Sequence, residues 1–229
     1  MSVSKNIYKQ LNPYFKSLGF RKHGRYFFKI ENNIAFCFTP EFPSFVRVQC
    51  YILPLYMPTD FHYLTYGTDI EHIHRELQDT IWTYGEITDA EASEWLGKMA
   101  PVIENEVLPF FKSISSPELL LQYCELPSHQ RSRYMPFGGL FMFQLQAYTA
   151  LFLGEKEIAQ KAIKNFRESA LTNPNITQKC IDSWVTESYE MEQILLLSDE
   201  ERAQRFESIC ADTVYHCFTP HKRNSKTQN

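Results

Sequence analysis

The chain has 229 residues, of which 44% are hydrophobic and 22% charged, so it can bury a core and is neither collagen-like nor disordered. Its formal net charge is −4, whereas a chain that wraps nucleic acid usually carries a strong positive excess. Only eight glycines are present, which argues against a glycine-looped nucleotide-binding fold and against a β-propeller.

Residues 3–18 show the apolar periodicity of an amphipathic helix. The apolar positions that share one helical face are Ile7, Leu11, Tyr14, Phe15 and Leu18. Pro13 lies inside this pattern and predicts either a kinked helix or a split one, because proline has no N–H to donate. Gly19 follows as the expected end of the helix.

Three aromatic and β-branched runs follow, at residues 26–30, 34–39 and 45–53, and they predict strands. Asn32 and Asn33 separate the first two runs and suit a tight hairpin, because asparagine tolerates positive φ. In the third run, apolar residues alternate with Arg47, Gln49 and Tyr51, as in a half-exposed strand. These strands pair in sequence order in the predicted meander.

The middle of the chain changes from loop to helix. Residues 54–70 are predicted to be a long loop with at most one short strand, and residues 71–84 fit a helix or a strand equally well. A helix is predicted from Thr88, because Glu91 three residues later completes a capping box. Pro101 and Pro109 predict a break or kink in it, and a further short helix begins after Ser116.

The rest of the chain is predicted to be helical. The predicted helices cover residues 140–153, 155–171, 176–197 and 198–217, and the last begins with a second capping box, Ser198 and Glu201. The first two form a hairpin around Gly154, which fits either an ordinary antiparallel helix pair or a single tetratricopeptide-like repeat.

Together these elements predict an α+β fold, in which a small antiparallel sheet with flanking helices is followed by a helical C-terminal portion. We place the α+β domain at residues 1–115 and the helical portion, packed beside it, at 116–221. Residues 222–229 are polar and are expected to be a frayed tail.

Residues 18–24, with the sequence LGFRKHG, follow the first helix and precede an aromatic strand. This arrangement resembles the beginning of the bacterial domain-of-unknown-function family 4304, and the similarity covers roughly residues 5–115. The resemblance implies a short antiparallel sheet after the helix. It carries over no catalytic residues, and it suggests by analogy a candidate immunity protein of the kind found beside toxins.

The cysteines and the hydropathy pattern predict a cytoplasmic protein. The six cysteines form no CxxC pair, and we expect all of them to be reduced. The N-terminal residues lack the continuous apolar stretch of a signal peptide, and no run approaches the roughly 18 apolar residues that span a bilayer. We therefore expect no membrane association.

No familiar catalytic or phosphate-binding motif is present in the sequence. His72 and His74 form an HxH pair that would project from one face of a strand, as in some zinc sites, but further ligands are not evident. We accordingly expect no cofactor, and a binding protein rather than an enzyme. An enzyme with its site in the aromatic cleft between the two parts stays open as an alternative.

Charge is segregated along the chain. Residues 1–30 hold seven basic side chains and no acidic one, whereas residues 181–201 hold seven acidic side chains and no basic one. The apolar face of the predicted helix at 176–197 leaves Asp182, Glu187 and Glu190 pointing largely away from it. Fields of one sign steer charged partners toward a surface.

Three interpretations follow from this segregation. In the first, both runs are solvated faces or attract each other across the fold. In the second, the acidic helix, with Asp182, Glu187 and Glu190, binds a basic protein such as a nuclease-like toxin. In the third, the basic residues contact nucleic acid. The candidate residues for nucleic-acid contact are Arg21, Lys22 and Arg25, with aromatic residues nearby for stacking. The leading hypothesis is a non-enzymatic, cytoplasmic binding protein of the immunity-protein type, which occludes its partner by shape and charge.

Overall fold

A computed structural model describes residues 3–42, 46–58, 66–77, 87–135, 138–174 and 176–219, and it confirms the α+β architecture. The strands are β1 (Arg21–His23), β2 (Tyr26–Glu31), β3 (Ile34–Glu41), β4 (Arg47–Pro54) and β5 (Gly67–Asp69). The helices are α1 (Val3–Ser17), α2 (Ile70–Ile73), α3 (Asp89–Val102), α4 (Leu108–Ser113), α5 (Pro117–Glu125), α6 (Leu140–Leu153), α7 (Lys156–Thr172), α8 (Gln178–Leu196) and α9 (Asp199–Phe218).

The five strands form one antiparallel meander in the order β1-β2-β3-β4-β5. Asn32 and Asn33 connect β2 to β3 with φ values of 46° and 64°, so the predicted tight hairpin is confirmed. The predicted loop at 54–70 contains β5, and the ambiguous stretch at 71–84 contains the end of α2 and a 3₁₀ turn, Arg75–Leu77. Within these two stretches, residues 59–65 and 78–84 lie outside the described residues, and so does the predicted tail.

One face of the sheet packs against α1 and α4. The Phe15 ring of α1 lies 4.5 Å from Phe27 and 4.8 Å from Phe38, measured between ring centroids. Phe111 of α4 lies 4.9 Å from Phe36 in the same layer. Aromatic residues of β2 and β3 therefore build much of the core of this face.

The other face is covered in part by the end of α9. Phe218 stacks on Phe28 with 4.3 Å between ring centroids, and Tyr51 is buried. The prediction that β4 is half exposed is therefore correct for Arg47 and Gln49 but wrong for Tyr51. The sequence of β4 gave no sign of this, because the residues that cover Tyr51 come from the other end of the chain.

The prolines do not split the described helices into separate segments. Helix α1 runs without interruption through Pro13. Helix α3 contains Pro101 and continues directly into a π-helical segment, Ile103–Val107, before α4 begins with Pro109 near its start. In place of a break, the helical hydrogen bonding changes to the rarer π pattern two residues after Pro101.

Most of the predicted helix boundaries are confirmed within a few residues. Thr88 with Glu91 and Ser198 with Glu201 form the two predicted capping boxes, and Ser116 caps α5. Helices α6 and α7 form the helical hairpin around Gly154. In each case the signal lies within four residues of the helix end, so sequence alone identifies it.

The sheet and the helical portion share one hydrophobic core. Tyr56 stacks on Phe152 of α6 at 4.4 Å between centroids, and its hydroxyl lies 3.1 Å from Oγ1 of Thr149. Thr213 of α9 donates a hydrogen bond of 3.2 Å to the carbonyl of Met57. The predicted boundary between residues 115 and 116 is thus crossed by a continuous buried cluster.

All six cysteines are free thiols, as predicted. Burial raises the pKa of Cys124 to about 12, so this thiol stays protonated at neutral pH. In the described part of the chain, no helix combines the length and the apolar composition needed to cross a bilayer.

Candidate functional site

Helix α8 forms one wall of a cleft of about 390 Å³. All three acidic residues predicted to bind a partner, Asp182, Glu187 and Glu190, line this cleft. The other described residues that line it are Pro58, Tyr148, Ser183, Trp184 and Thr186. None of these described lining residues is basic, so the described lining of this acidic cleft is negatively charged.

Helix α8 places these carboxylates through its packing. Ser188, Met191 and Ile194 are its buried residues and face the core, so the opposite side of the helix remains accessible. Asp182 and Glu190 are exposed, as predicted, and are eight residues apart, which places them near the same side two turns apart. None of the ion pairs between described residues includes Asp182 or Glu190.

Glu187 differs from the prediction that it points away from the core. It is half-buried, and Gln144 of α6 donates a hydrogen bond of 2.8 Å to its Oε1. Gln144 in turn accepts a hydrogen bond of 2.8 Å from the hydroxyl of buried Tyr66. The signal that was available is Gln144 itself, because a polar residue within an otherwise apolar helix needs a buried partner.

Tyr148 fixes the same carboxylate from a second direction. Its side chain is within hydrogen-bonding reach of Glu187, and burial, followed by the charge of Glu187, raises its pKa well above the usual value. Tyr148 therefore remains neutral and donates its hydroxyl hydrogen to the carboxylate. Glu187 is held rigidly at the base of the acidic cleft, whereas Asp182 and Glu190 extend toward solvent.

Trp184 supplies an aromatic wall to the acidic cleft. Its ring meets Phe141 edge to face, with 5.8 Å between centroids and an interplanar angle of 87°. This contact fixes the ring orientation while leaving the residue half-exposed. An indole face beside carboxylates attracts cations, because the ring quadrupole and the negative charges act in the same direction.

The three predicted basic residues lie on edge strand β1 and on the turn after it. Each holds its charge above an aromatic ring. Arg21 lies 5.1 Å from the ring centre of Phe28, Lys22 lies 4.0 Å from that of Tyr8, and Arg25 lies 5.3 Å from that of Tyr26. All three cations are exposed. Because β1 is an edge strand, such charges also protect an open sheet edge.

The two histidines of the HxH pair do not project from one face of a strand, as the sequence had suggested. His72 lies in α2 and His74 directly follows it, so the two-residue spacing separates their side chains instead of aligning them as in a strand. His72 is exposed, with Nδ1 3.3 Å from Oδ2 of Asp69, whereas His74 is buried. Among the described residues, no group of three or more histidine, cysteine or acidic side chains is arranged to hold a metal ion.

His74 instead joins a polar cluster between the two parts of the chain. Its Nδ1 lies 3.0 Å from Oε1 of Glu76, and its Nε2 lies 3.0 Å from the hydroxyl of Tyr134 and 3.1 Å from Nη2 of Arg133. Tyr134 and Arg133 donate hydrogen bonds of 2.9 Å and 2.5 Å to Oε2 of Glu106. We call these five residues the His74 cluster.

The carboxylates of the His74 cluster are stabilised in their charged form. For Glu106, partial burial acts in the opposite direction, but hydrogen bonds from Arg133 and Tyr134 outweigh it and lower the pKa. A backbone hydrogen bond and the hydrogen bond to His74 lower the pKa of Glu76. Because these partners are distant in sequence, the two-residue histidine motif gave no indication of them. The cluster places one buried imidazole among ionised groups, which is chemistry suited to proton exchange.

Comparison of the chain with protein-family models, with curated proteins and with solved structures gives no match. The resemblance of residues 18–24 to family 4304 stays a prediction. Function is accordingly argued from the geometry of the acidic cleft and from the chemistry of its residues.

Proposed function

We propose that the protein is a non-enzymatic binding protein of the immunity-protein type, which recognises a basic protein partner through the acidic cleft. The observation that carries this proposal is the convergence of Asp182, Glu187 and Glu190 on one cleft whose described lining has no basic residue. Several carboxylates on one concave surface make it favourable for a cationic ligand and unfavourable for an anionic one.

The ligand that fits this chemistry is a lysine or arginine side chain of the partner. Its charged group pairs with Asp182 or Glu190, and its stem or guanidinium plane packs on the indole of Trp184. The cleft volume of about 390 Å³ lies within the roughly 300–1,000 Å³ range of ligand pockets, so it accommodates an inserted side chain. The surrounding surface of α8 then supplies the rest of the interface.

Rigidity of the acidic cleft supports the same function. Glu187 is held by Gln144, which is itself held by Tyr66, so this carboxylate loses little freedom when a partner binds. Preorganised groups strengthen binding because less conformational entropy is lost on association. We also propose a cytoplasmic location, which the six free thiols support.

The test reverses the two exposed carboxylates in a double variant, Asp182→Lys with Glu190→Lys. We expect its affinity for a fluorescein-labelled hexa-arginine peptide, measured by fluorescence anisotropy, to fall by about tenfold or more. The matched control is Glu207→Lys with Asp212→Lys, which changes the net charge equally at exposed positions on α9. Glu187 is left intact because Gln144 would lose its partner.

Equal losses in the two double variants would mean that the peptide senses net charge only, and would overturn the proposal. The same three proteins then serve as baits for partner capture from the native host. A partner retained by the wild-type protein and by the α9 control, but lost by the α8 variant, is the expected result.

Nucleic-acid binding is the second candidate, favoured by the exposed cations of β1 and its turn, each above an aromatic ring. It predicts that a labelled random single-stranded 20-mer binds with steep salt dependence. The triple variant Arg21→Ala, Lys22→Ala, Arg25→Ala would abolish that binding and leave hexa-arginine binding unchanged.

A further inference from the structure

The His74 cluster joins the two parts of the chain through a single imidazole. Glu76 and Glu106 come from the N-terminal part, on the 3₁₀ turn and on the π-helical segment, whereas Arg133 and Tyr134 come from the helical portion. His74 is only 8% exposed, so its hydrogen bonds must be satisfied within the protein. The donors and acceptors around it therefore determine where its hydrogens lie.

At Nδ1 the neighbour is a carboxylate. Glu76 lies 3.0 Å away, and an ionised carboxylate only accepts hydrogen bonds. Nδ1 must therefore carry a hydrogen and donate it to Glu76. The lowered pKa of Glu76 supports this assignment, because the carboxylate is then ionised well below neutral pH.

At Nε2 the neighbours differ in hydrogen-bonding capacity. The Arg133 guanidinium is a donor only, and it lies 3.1 Å from Nε2. Tyr134 has one hydrogen, which it donates to Glu106. In the neutral imidazole Nε2 is therefore an acceptor, and it accepts from Arg133.

Protonation of His74 changes this arrangement. Nε2 then carries a hydrogen that faces the N–H of Arg133, and the available acceptor is the oxygen of Tyr134, 3.0 Å away. His74 then donates a hydrogen bond to Tyr134, which donates its own hydrogen to Glu106. Arg133 keeps only its contact with Glu106. The imidazolium is also balanced by Glu106, whose Oε2 lies 3.4 Å from Nε2.

We propose that His74 is a protonation-controlled joint between the sheet part and the helical part: its Nε2 accepts a hydrogen bond from Arg133 when neutral and donates one to Tyr134 when charged, while Arg133 stays paired with Glu106. The charged and titratable described groups that face this imidazole are Glu76, Glu106, Arg133 and Tyr134. A change in the protonation of His74 therefore changes which residue of the helical portion shares a hydrogen with its Nε2.

The first test measures the hydrogens on the imidazole in the wild-type protein by ¹⁵N NMR. At pH 8 we expect His74 to be the Nδ1–H tautomer, with an unprotonated Nε2. At pH 5 we expect both nitrogens to be protonated. Exposed His129 is the internal reference for a solvated imidazole. An Nε2–H tautomer at pH 8 would overturn the proposal, and this result does not depend on any variant folding.

The second test is a double-mutant cycle of His74→Gln and Arg133→Gln, measured as urea unfolding midpoints at pH 8 and pH 5. With His74 present, Arg133→Gln should lower the midpoint more at pH 8 than at pH 5. With His74→Gln, the loss should be the same at both pH values. Lys98→Gln is the control, since it removes an exposed cation that pairs with Glu94 on α3. A pH-independent loss in both backgrounds would contradict the exchange of Arg133 for Tyr134 at Nε2.

Discussion

Glu71 shows how much one buried side chain can contribute to the pH dependence of this fold. It is fully buried on α2, and both of its carboxylate oxygens lie 3.0 Å from the backbone nitrogen of Val48, which donates to them. Gln49 and Asp69 form the last residue pair between β4 and β5. The Glu71 carboxylate takes the place of a further β5 residue, because it accepts the hydrogen bond of the next β4 amide, Val48. Burial, only partly offset by the Val48 hydrogen bond, raises the pKa of Glu71 to about 8.

Replacement of this group, Glu71→Gln, should alter the pH dependence of stability. A folded-state pKa raised from 4.5 to about 8 means that the native state holds a proton which the unfolded chain releases. Stability from this group is therefore fully present below about pH 4.5 and is lost as pH rises toward 8. Relative to wild type, the variant should gain roughly 3 kcal/mol between pH 5 and pH 8.

Urea unfolding at several pH values checks this expectation. Glutamine keeps an acceptor for Val48 and does not titrate, so only the ionisable proton is removed. A difference in unfolding free energy between the two proteins that does not change from pH 5 to pH 8 would show that Glu71 ionises without cost.

At the scale of elements, the end of α6 depends on one backbone conformation. Gly154 has φ of +79°, and a Cβ atom built on it would lie 2.8 Å from Nη2 of Arg202 on α9. Arg202 is buried and donates a hydrogen bond of 2.8 Å to Asp199, so it has little freedom to move. Gly154 therefore affects both the turn between α6 and α7 and the packing of α9 against that turn.

Gly154→Ala should destabilise the protein by about 1–3 kcal/mol, because it combines a left-handed backbone with a steric contact. The matched control is Gly97→Ala on the exposed side of α3, where no atom lies within 4 Å of the added Cβ. This control should stabilise by roughly 0.5–1 kcal/mol through the lower chain entropy of alanine. Chemical denaturation measures both changes, and a destabilised Gly97→Ala would contradict the argument.

The elements also show why sequence predicted some features and not others. Hairpin, capping and helix-end signals act over a few residues, so the meander and most helices are predictable. The change from α3 to a π-helical segment depends on how the helix accommodates Pro101. Helix propensities of single residues do not predict such a change. The site is predictable only in part, because Asp182 and Glu190 follow the helical period whereas Glu187 responds to Gln144, 43 residues away. The partners of His74 are likewise supplied by tertiary contact.

At the scale of the whole molecule, the two predicted parts are coupled. The large hydrophobic cluster includes Trp95 of α3, and Trp184 of α8 packs against its edge. Tyr56 contacts Phe152 and Thr149 across the predicted boundary. Loss of either part would expose a large share of the other part's apolar surface to water.

We therefore expect the two parts to unfold together. Two variants, each retaining either Trp95 or Trp184 as the only tryptophan, report on the sheet part and the helical part separately. In each variant, the fluorescence midpoint should coincide with that variant's own circular dichroism midpoint, because a single cooperative transition reports the same way in both signals. Midpoints that differ between the two reporters, while circular dichroism shows two transitions, would mean that each part folds on its own.

The meander ends on both sides in a strand of only three residues, β1 and β5. Each border presents too few free N–H and C=O groups to template a strand from a neighbouring molecule, and on β1 the charges of Arg21 and Lys22 add repulsion between copies. Although the interior of the sheet is rich in phenylalanine, we therefore expect these two short edge strands to be poor templates for fibril growth.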